Sequence, residues 1–253
     1  TYTGTPNALI QLSRDVIKHF CATSMGFSPA DFQTSPGLAA AMGETYQLNG
    51  LIVEPNKARV IASRMAFESG CWLKFMVGRP TLLFRQRAVT GAYTLNHSLV
   101  AFLQRTKQTA DIQKVPIDWI LNKLEVRYSR DWQLSRSTDS YRSIEVQEDA
   151  ASQTRYGVKA RPDLFRCDFV TTQVHAIALA SLYLGIHSTR RDIIRLRAFL
   201  LKPNMAFGDR VTVDIRMLAS QVGEIISVDH APGHVVTSQM PEMQITVLSL
   251  DSI

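Results

Sequence analysis

The block from residue 124 to residue 215 constrains the fold most, because the period of its apolar residues changes twice along it. Leu124, Val126 and Tyr128 alternate with Glu125 and Arg127, the period of two that sets one face of a strand. A second alternating strand is expected around 141–146, followed by an acidic turn at Glu148-Asp149 and a polar stretch reaching a turn at Gly157. Phe165, Cys167 and Phe169 predict a third strand. Thr171 and Thr172 then offer hydroxyl caps to a helix over 173–187, with Val174, Ile177, Ala178, Leu182 and Leu184 as its apolar positions. Past the helix, Ile194, Leu196, Ala198 and Leu200 return to alternation, and Gly208-Asp209 turns the chain into a strand carrying Val211, Val213 and Ile215 on one face. The block is therefore a β-rich unit with one long helix, and nothing in it forms an active-site constellation.

Upstream, Thr5-Pro6 is a helix start, a capping hydroxyl before a proline whose missing N–H costs nothing in the first turn. Leu9, Leu12, Val16, Ile17 and Phe20 follow at helical spacing. Ser28-Pro29 and Ser35-Pro36 repeat the start signal, and Gly43 ends the second of these short pieces. Residues 46–53 read as a strand broken by Glu54-Pro55. An amphipathic helix over 55–68, with Val60, Ile61, Met65 and Phe67 apolar, ends at Ser69-Gly70. Two apolar strands, 71–77 and 81–87, are joined through Gly78-Arg79-Pro80 as a hairpin.

The pattern loosens over 88–116, which holds one strand or helix around 99–103. The tail adds short strands at 222–228, 233–238 and 243–250 around an Ala231-Pro232-Gly233 turn. Successive strands at such spacing favour an antiparallel barrel or sandwich. The expected fold class is α+β: a small N-terminal α/β domain over 1–90, a connecting segment over 91–116, and a β-rich, barrel-like domain carrying one long helix over 117–253. The chain opens on Thr1 in a loop-like stretch, as a piece of a longer polypeptide would.

A net charge of +6 would suit a polyanionic partner, but the arginines are dispersed and no dense Lys/Arg block exists. Cys21, Cys71 and Cys167 are odd in number and far apart, which fits neither a disulfide framework nor paired zinc ligands. They are expected as reduced, buried thiols, with Cys71 beside Trp72 packing rather than acting as a nucleophile. Glu44, Glu54, Asp149 and Asp209 are isolated acids with surface, capping or turn roles. Among His19, His97, His175, His187, His230 and His234, only the last two lie close together; with Asp229 they could bind a metal, but the residues between them are turn chemistry. No phosphate-binding glycine loop is present. The Arg-Tyr recurrences at 126–132 and 154–162 could stack bases, though at strand spacing they read as one buried and one solvent face. No catalytic, cofactor-binding or metal residue is nominated, no cofactor is expected, and no apolar run is long enough to span a bilayer.

The ordered set of motifs resembles the phage and prophage tail hub and tail-tip attachment proteins, including putative tail proteins of gene transfer agents. The resemblance runs through PNALIQLSRDVI (6–17), YQLNGLIVEPNKARVIASRM (46–65), CWLKFMVGRPTLLFRQ (71–86), NKLEVRYSRDW (122–132), SIEVQED (143–149), RYGV (155–158), VHAIALASLYL (174–184), IIRLRAFLL (193–201) and FGDRVTVDI (207–215). It implies a non-catalytic component of a tail tip or baseplate hub, located in the virion tail and assembled in the bacterial host cytoplasm. The implied partners are two further copies in a trimeric ring, neighbouring tail-tube and tail-tip proteins, and tape measure and DNA in transit. Two other function classes stay open on the residues alone: a nucleic-acid-binding module using the basic surface, and a tail-associated carbohydrate- or peptidoglycan-acting enzyme, which would need a carboxylate pair in a cleft.

Overall fold

The computed structural model describes residues 12–34, 38, 42, 45–50, 57–76, 78–85, 93–96, 111–134, 140–161, 165–199, 207–215, 218–230 and 242–250. In chain order the elements are α1 (Ser13–Met25), β1 (Gln33–Thr34), α2 (Ala58–Glu68), β2 (Cys71–Met76), β3 (Arg79–Phe84), β4 (Tyr93–Asn96) and β5 (Asp111–Lys114). They continue with β6 (Lys123–Arg130), β7 (Tyr141–Glu148), α3 (Ala150–Tyr156), β8 (Phe165–Arg166), α4 (Gln173–His187), β9 (Asp192–Phe199), β10 (Arg210–Ile215), β11 (Leu218–His230) and β12 (Glu242–Ser249). The class is α+β, as the periodicities predict.

The chain divides into two compact units, each discontinuous in sequence: residues 1–86 with 121–188, and residues 87–120 with 189–253. The linear division into 1–90, 91–116 and 117–253 differs from this grouping, because the long helix α4 is built into the same unit as the N-terminal segment. Local periodicity finds elements but carries no information on which distant element each one packs against.

In the first unit, β2 and β3 form the expected hairpin, with Cys71 opposite Phe84, and β1 adds in parallel to β3. Arg79 and Pro80 lie within β3 rather than in the turn, which is made at Gly78 with φ of +77°. A second sheet has the order β7-β6-β8. On β6 the expected alternation holds, with Leu124, Val126 and Tyr128 buried.

Helix α4 joins two apolar clusters. Ala178 and Leu182 pack against Ile17, Phe20, Leu48, Met65 and Leu82, while Ala176, Leu179, Ala180 and Tyr183 join Leu124, Val126, Phe165 and Cys167. The small alanines let the helix lie close on both sides. Of the apolar face expected for it, Leu184 is buried as expected, but Val174 is 65% exposed, and Ala176, Leu179, Ala180, Tyr183 and Ile186 are the further buried apolar positions. Gly70, at φ of +67°, follows α2 and admits Leu182, whose Cδ2 would stand only 2.4 Å from a Cβ there.

Other expectations need similar adjustment. Ser28 caps a short 3-10 turn at Pro29–Asp31, as expected. Of the strand expected over 46–53, Gln47 bridges Leu12 and Leu48 bridges Val170 as isolated pairs, and 51–53 lie outside the described residues. On α2, Val60 is exposed and Ala62 and Ala66 are buried. The polar stretch after Glu148 is a helix, α3, capped by Asp149, whose carboxylate accepts the Ser152 N–H at 3.0 Å. Its seven residues bury little more than Ser152, so no apolar stripe announces it. Cys167 and Phe169 are buried but lie beyond the end of β8. Thr5-Pro6, Ser35-Pro36, Gly43, and the segments 99–103 and 233–238 lie outside the described residues.

One backbone position is strained: Ser129, inside β6, has φ of +58°. A side chain in the left-handed region costs about 1–2 kcal/mol. Ser129→Gly is expected to raise the unfolding free energy read by urea titration modestly, by up to about 1 kcal/mol after the added flexibility of glycine is offset.

The second unit is a six-stranded sheet of order β4-β10-β11-β12-β9-β5. The β4–β10 pair is parallel and the others are antiparallel. Leu95, Ile194, Leu196, Val211, Val213, Ile225, Ile245 and Val247 form its core. Among the described residues β4 and β5 are the end strands, and no pairing closes the sheet into a barrel.

Candidate functional site

Within the first unit, the most organised polar site is built around Glu68, the last residue of α2, whose side chain is fully buried. An acid in the last turn opposes the helix macrodipole, so its position has to be explained by other partners. Arg64, one turn earlier, donates through Nε at 2.8 Å to Glu68 Oε1. The backbone N–H groups of Asp168 and Phe169 donate to Oε1 and Oε2 at 2.8 and 2.7 Å. The same guanidinium also donates to the Arg166 carbonyl. Glu68 thus ties α2 to the segment entering α4. Burial pushes its carboxyl up to about 7, outweighing Arg64 and the two backbone donors.

His175 completes the node from α4. Its Nδ1 lies 2.9 Å from the Gln47 carbonyl and its Nε2 lies 2.8 Å from the Glu68 carbonyl. Two facing carbonyls favour the doubly protonated ring, but burial is the larger influence and its pKa is pushed down. Asp168 accepts from Tyr141 Oη at 2.7 Å and pairs with Arg130 at 3.4 Å. Every one of these groups is directed at protein. The node clamps these segments together.

Among the described residues, those that sequence inspection weighed for chemistry lie apart in packing, capping and turn positions. Cys21, Cys71 and Cys167 are buried and unpaired by disulfide. Burial pushes the Cys21 thiol up to about 11 and raises the Cys71 and Cys167 thiols as well, which suits packing and not nucleophilic attack. Cys71 Sγ sits 3.7 Å from Met42 Sδ. Asp149 is a helix cap, and the Asp209 carbonyl accepts the Ile225 N–H. His187 stacks on Tyr183. Glu44, Glu54, His97 and His234, and the side chains of Asp229 and His230, lie outside the described residues. Among the described residues no group of three or more His, Cys, Asp and Glu could hold a metal, and no helix is long and apolar enough to cross a membrane.

Several of the described basic residues are matched with acids. Arg79 pairs with Asp31, Arg127 with Glu125, Arg142 with Asp131, and Arg195 with Asp111. Tyr128 is buried while its neighbours on β6 are half-exposed, so the Arg-Tyr recurrence at 126–132 is a two-faced strand; the one at 154–162 is corrected, since Arg155 and Tyr156 close helix α3, where the guanidinium lies over the Tyr156 ring. Sequence inspection missed the Glu68 node. The one local signal for it is an acid at the wrong end of a helix, four residues after an arginine.

No family model and no curated protein matches the sequence. Solved structures do. The chain superimposes on a protein in the virion of a native gene transfer agent particle with a TM-score of 0.55 and 13% identity, over 93% of this chain and 46% of that one. It superimposes on a tail protein from Neisseria meningitidis MC58 with a TM-score of 0.52 and 13% identity, over 96% of this chain and 68% of the other. The chain has a tail-protein fold. The likeness to the tail protein spans both units, since it takes in nearly the whole chain. The chain spans about half the length of the gene transfer agent protein.

Proposed function

We propose that the protein is a non-catalytic structural component of a phage or phage-like tail, placed in the tail tip or baseplate hub. Three copies form a ring below the tail tube, around the channel used by the tape measure and DNA, and the ring assembles in the host cytoplasm. The observation that supports this reading is the tail-protein fold over nearly the whole chain. The polar groups that would otherwise suggest chemistry are consumed in clamping the first unit, as the Glu68 node illustrates. Unpaired end strands, such as β4 and β5, suit a protein whose edges are covered by neighbours in an assembly.

The test is to locate the chain in particles. Gold labelling of an epitope-tagged copy, viewed by electron microscopy, is expected to mark the distal end of the tail, and deletion of the gene is expected to give particles without a complete tip. Label on the capsid, or intact tails in the deletion strain, would overturn the reading.

A further inference from the structure

Strand β7 is inverted relative to its neighbour. Its solvent face carries Ile144 and Val146, 49% and 44% exposed, while Ser143, Glu145 and Gln147 lie on the other face, level with buried Tyr128, Val126 and Leu124 of β6. Among the described residues β7 is also an end strand of its sheet, with β6 on one side only. An exposed edge with apolar outward side chains is a template for another strand.

The residues flanking the apolar pair say which strand fits. Along the exposed face the order is Arg142, Ile144, Val146, Glu148. An antiparallel copy related by a two-fold axis through Glu145 would set Arg142 opposite Glu148 and Ile144 opposite Val146, twice over. Moving the axis to residue 144 sets Arg142 opposite Val146, and moving it to residue 146 carries Arg142 past the end of the partner strand and sets Ile144 opposite Glu148, so either shift loses this charge match. The intramolecular pairs extend it: Glu148 is held by Lys123 at 2.7 Å and Arg142 by Asp131 at 2.8 Å. Each end of the paired strands would then carry a row of four alternating charges, Lys123 and Glu148 from one copy followed by Arg142 and Asp131 from the next. Opposite charges and β-branched pairs directly across a ladder stabilise it. The one like-charge pair, Glu145 with its copy, falls on the other face. There Gln147 and Gln173 donate to each carboxylate at 2.8 and 3.1 Å.

We propose that the free protein covers this edge with a second copy of itself, joining two three-stranded sheets across β7 into one of six strands. The contact is isologous. It goes beyond the tail reading and does not depend on it: a two-fold pair is a state of the free chain, exchanged for other neighbours on incorporation into a polar assembly.

Sedimentation velocity across a concentration series tests the proposal, with circular dichroism as the check on folding. The wild type is expected to pass from monomer to dimer mass. Arg142→Glu and Glu148→Arg each place like charges opposite one another and are expected to weaken association by at least about tenfold. The double reversal is expected to restore it in part, since the reversed charges meet opposites across the axis but stand beside like-charged Lys123 and Asp131 within each copy, and Val146→Lys to remain monomeric. A wild type that is monomeric or trimeric throughout, single variants that dimerise normally, or a folded double reversal that fails to recover would each overturn the proposal. A monomer would assign the edge to a strand from a different protein. Failure here leaves the particle-labelling result untouched, so the two readings fall separately.

Discussion

Replacing Glu68 with alanine is expected to lower the unfolding free energy of the first unit by about 3–5 kcal/mol, because several buried hydrogen bonds lose their acceptor and each orphaned donor costs about 1–3 kcal/mol. The change leaves the buried N–H groups of Asp168 and Phe169 without their acceptor and deprives Arg64 of its carboxylate. Urea unfolding reads the loss directly. The pH dependence tests its cause. The folded carboxyl holds its proton up to about pH 7, whereas the unfolded one releases it near 4.5, so its contribution is full below 4.5 and is lost as the pH rises through 7. The alanine variant lacks this slope. The gap between the two proteins is therefore widest near pH 4.5 and narrows towards pH 7 and above. His175, whose pKa burial pushes down, contributes stability that is lost as the pH falls, in both proteins, and cancels from the difference. A gap that widens with rising pH would show that the ionised carboxylate is the stabilising form.

Phe165→Ala is expected to cost about 3–5 kcal/mol, as removal of a buried aromatic does. The ring is 1% exposed and lies between Phe67, with centroids 5.5 Å apart, and Tyr183, at 4.8 Å. Phe67 belongs to α2 and Tyr183 to α4, so the cavity opens in a core shared by residues 1–86 and 121–188. Hydrogen exchange is expected to show lost protection in α2 as well as in β6 and α4. Protection retained in α2 while β6 and α4 open would show instead that the two stretches fold as separate domains.

Much of the architecture was legible in the residues because it depends on near neighbours. Alternation on β6 and β10, the Thr172 cap of α4 and the end of α2 at Ser69-Gly70 all rest on side chains within a few positions of one another. Where near neighbours carried no apolar pattern, as in α3, the helix went unread. Its anchor is remote: the Asn122 side chain donates to Ser152 and to the Gly157 carbonyl and accepts from the Lys159 N–H. The exposed edge at β7 was legible only as a strand. Which of its faces is solvent-exposed follows from its register with β6, and the periodicity of 141–148 alone leaves that choice open.

The amino-acid order by itself determined the class, α+β, and most of the strands and helices, since hydrophobic period and capping act over one turn or one strand. Only the tertiary structure decided that residues 1–86 and 121–188 share a unit, and that Glu68 is buried rather than solvated. The reason is the distance along the chain of the partners involved. The donors to Glu68 lie 100 and 101 residues away, and the carbonyls facing His175 lie 128 and 107 residues away. No local pattern records a contact of that span.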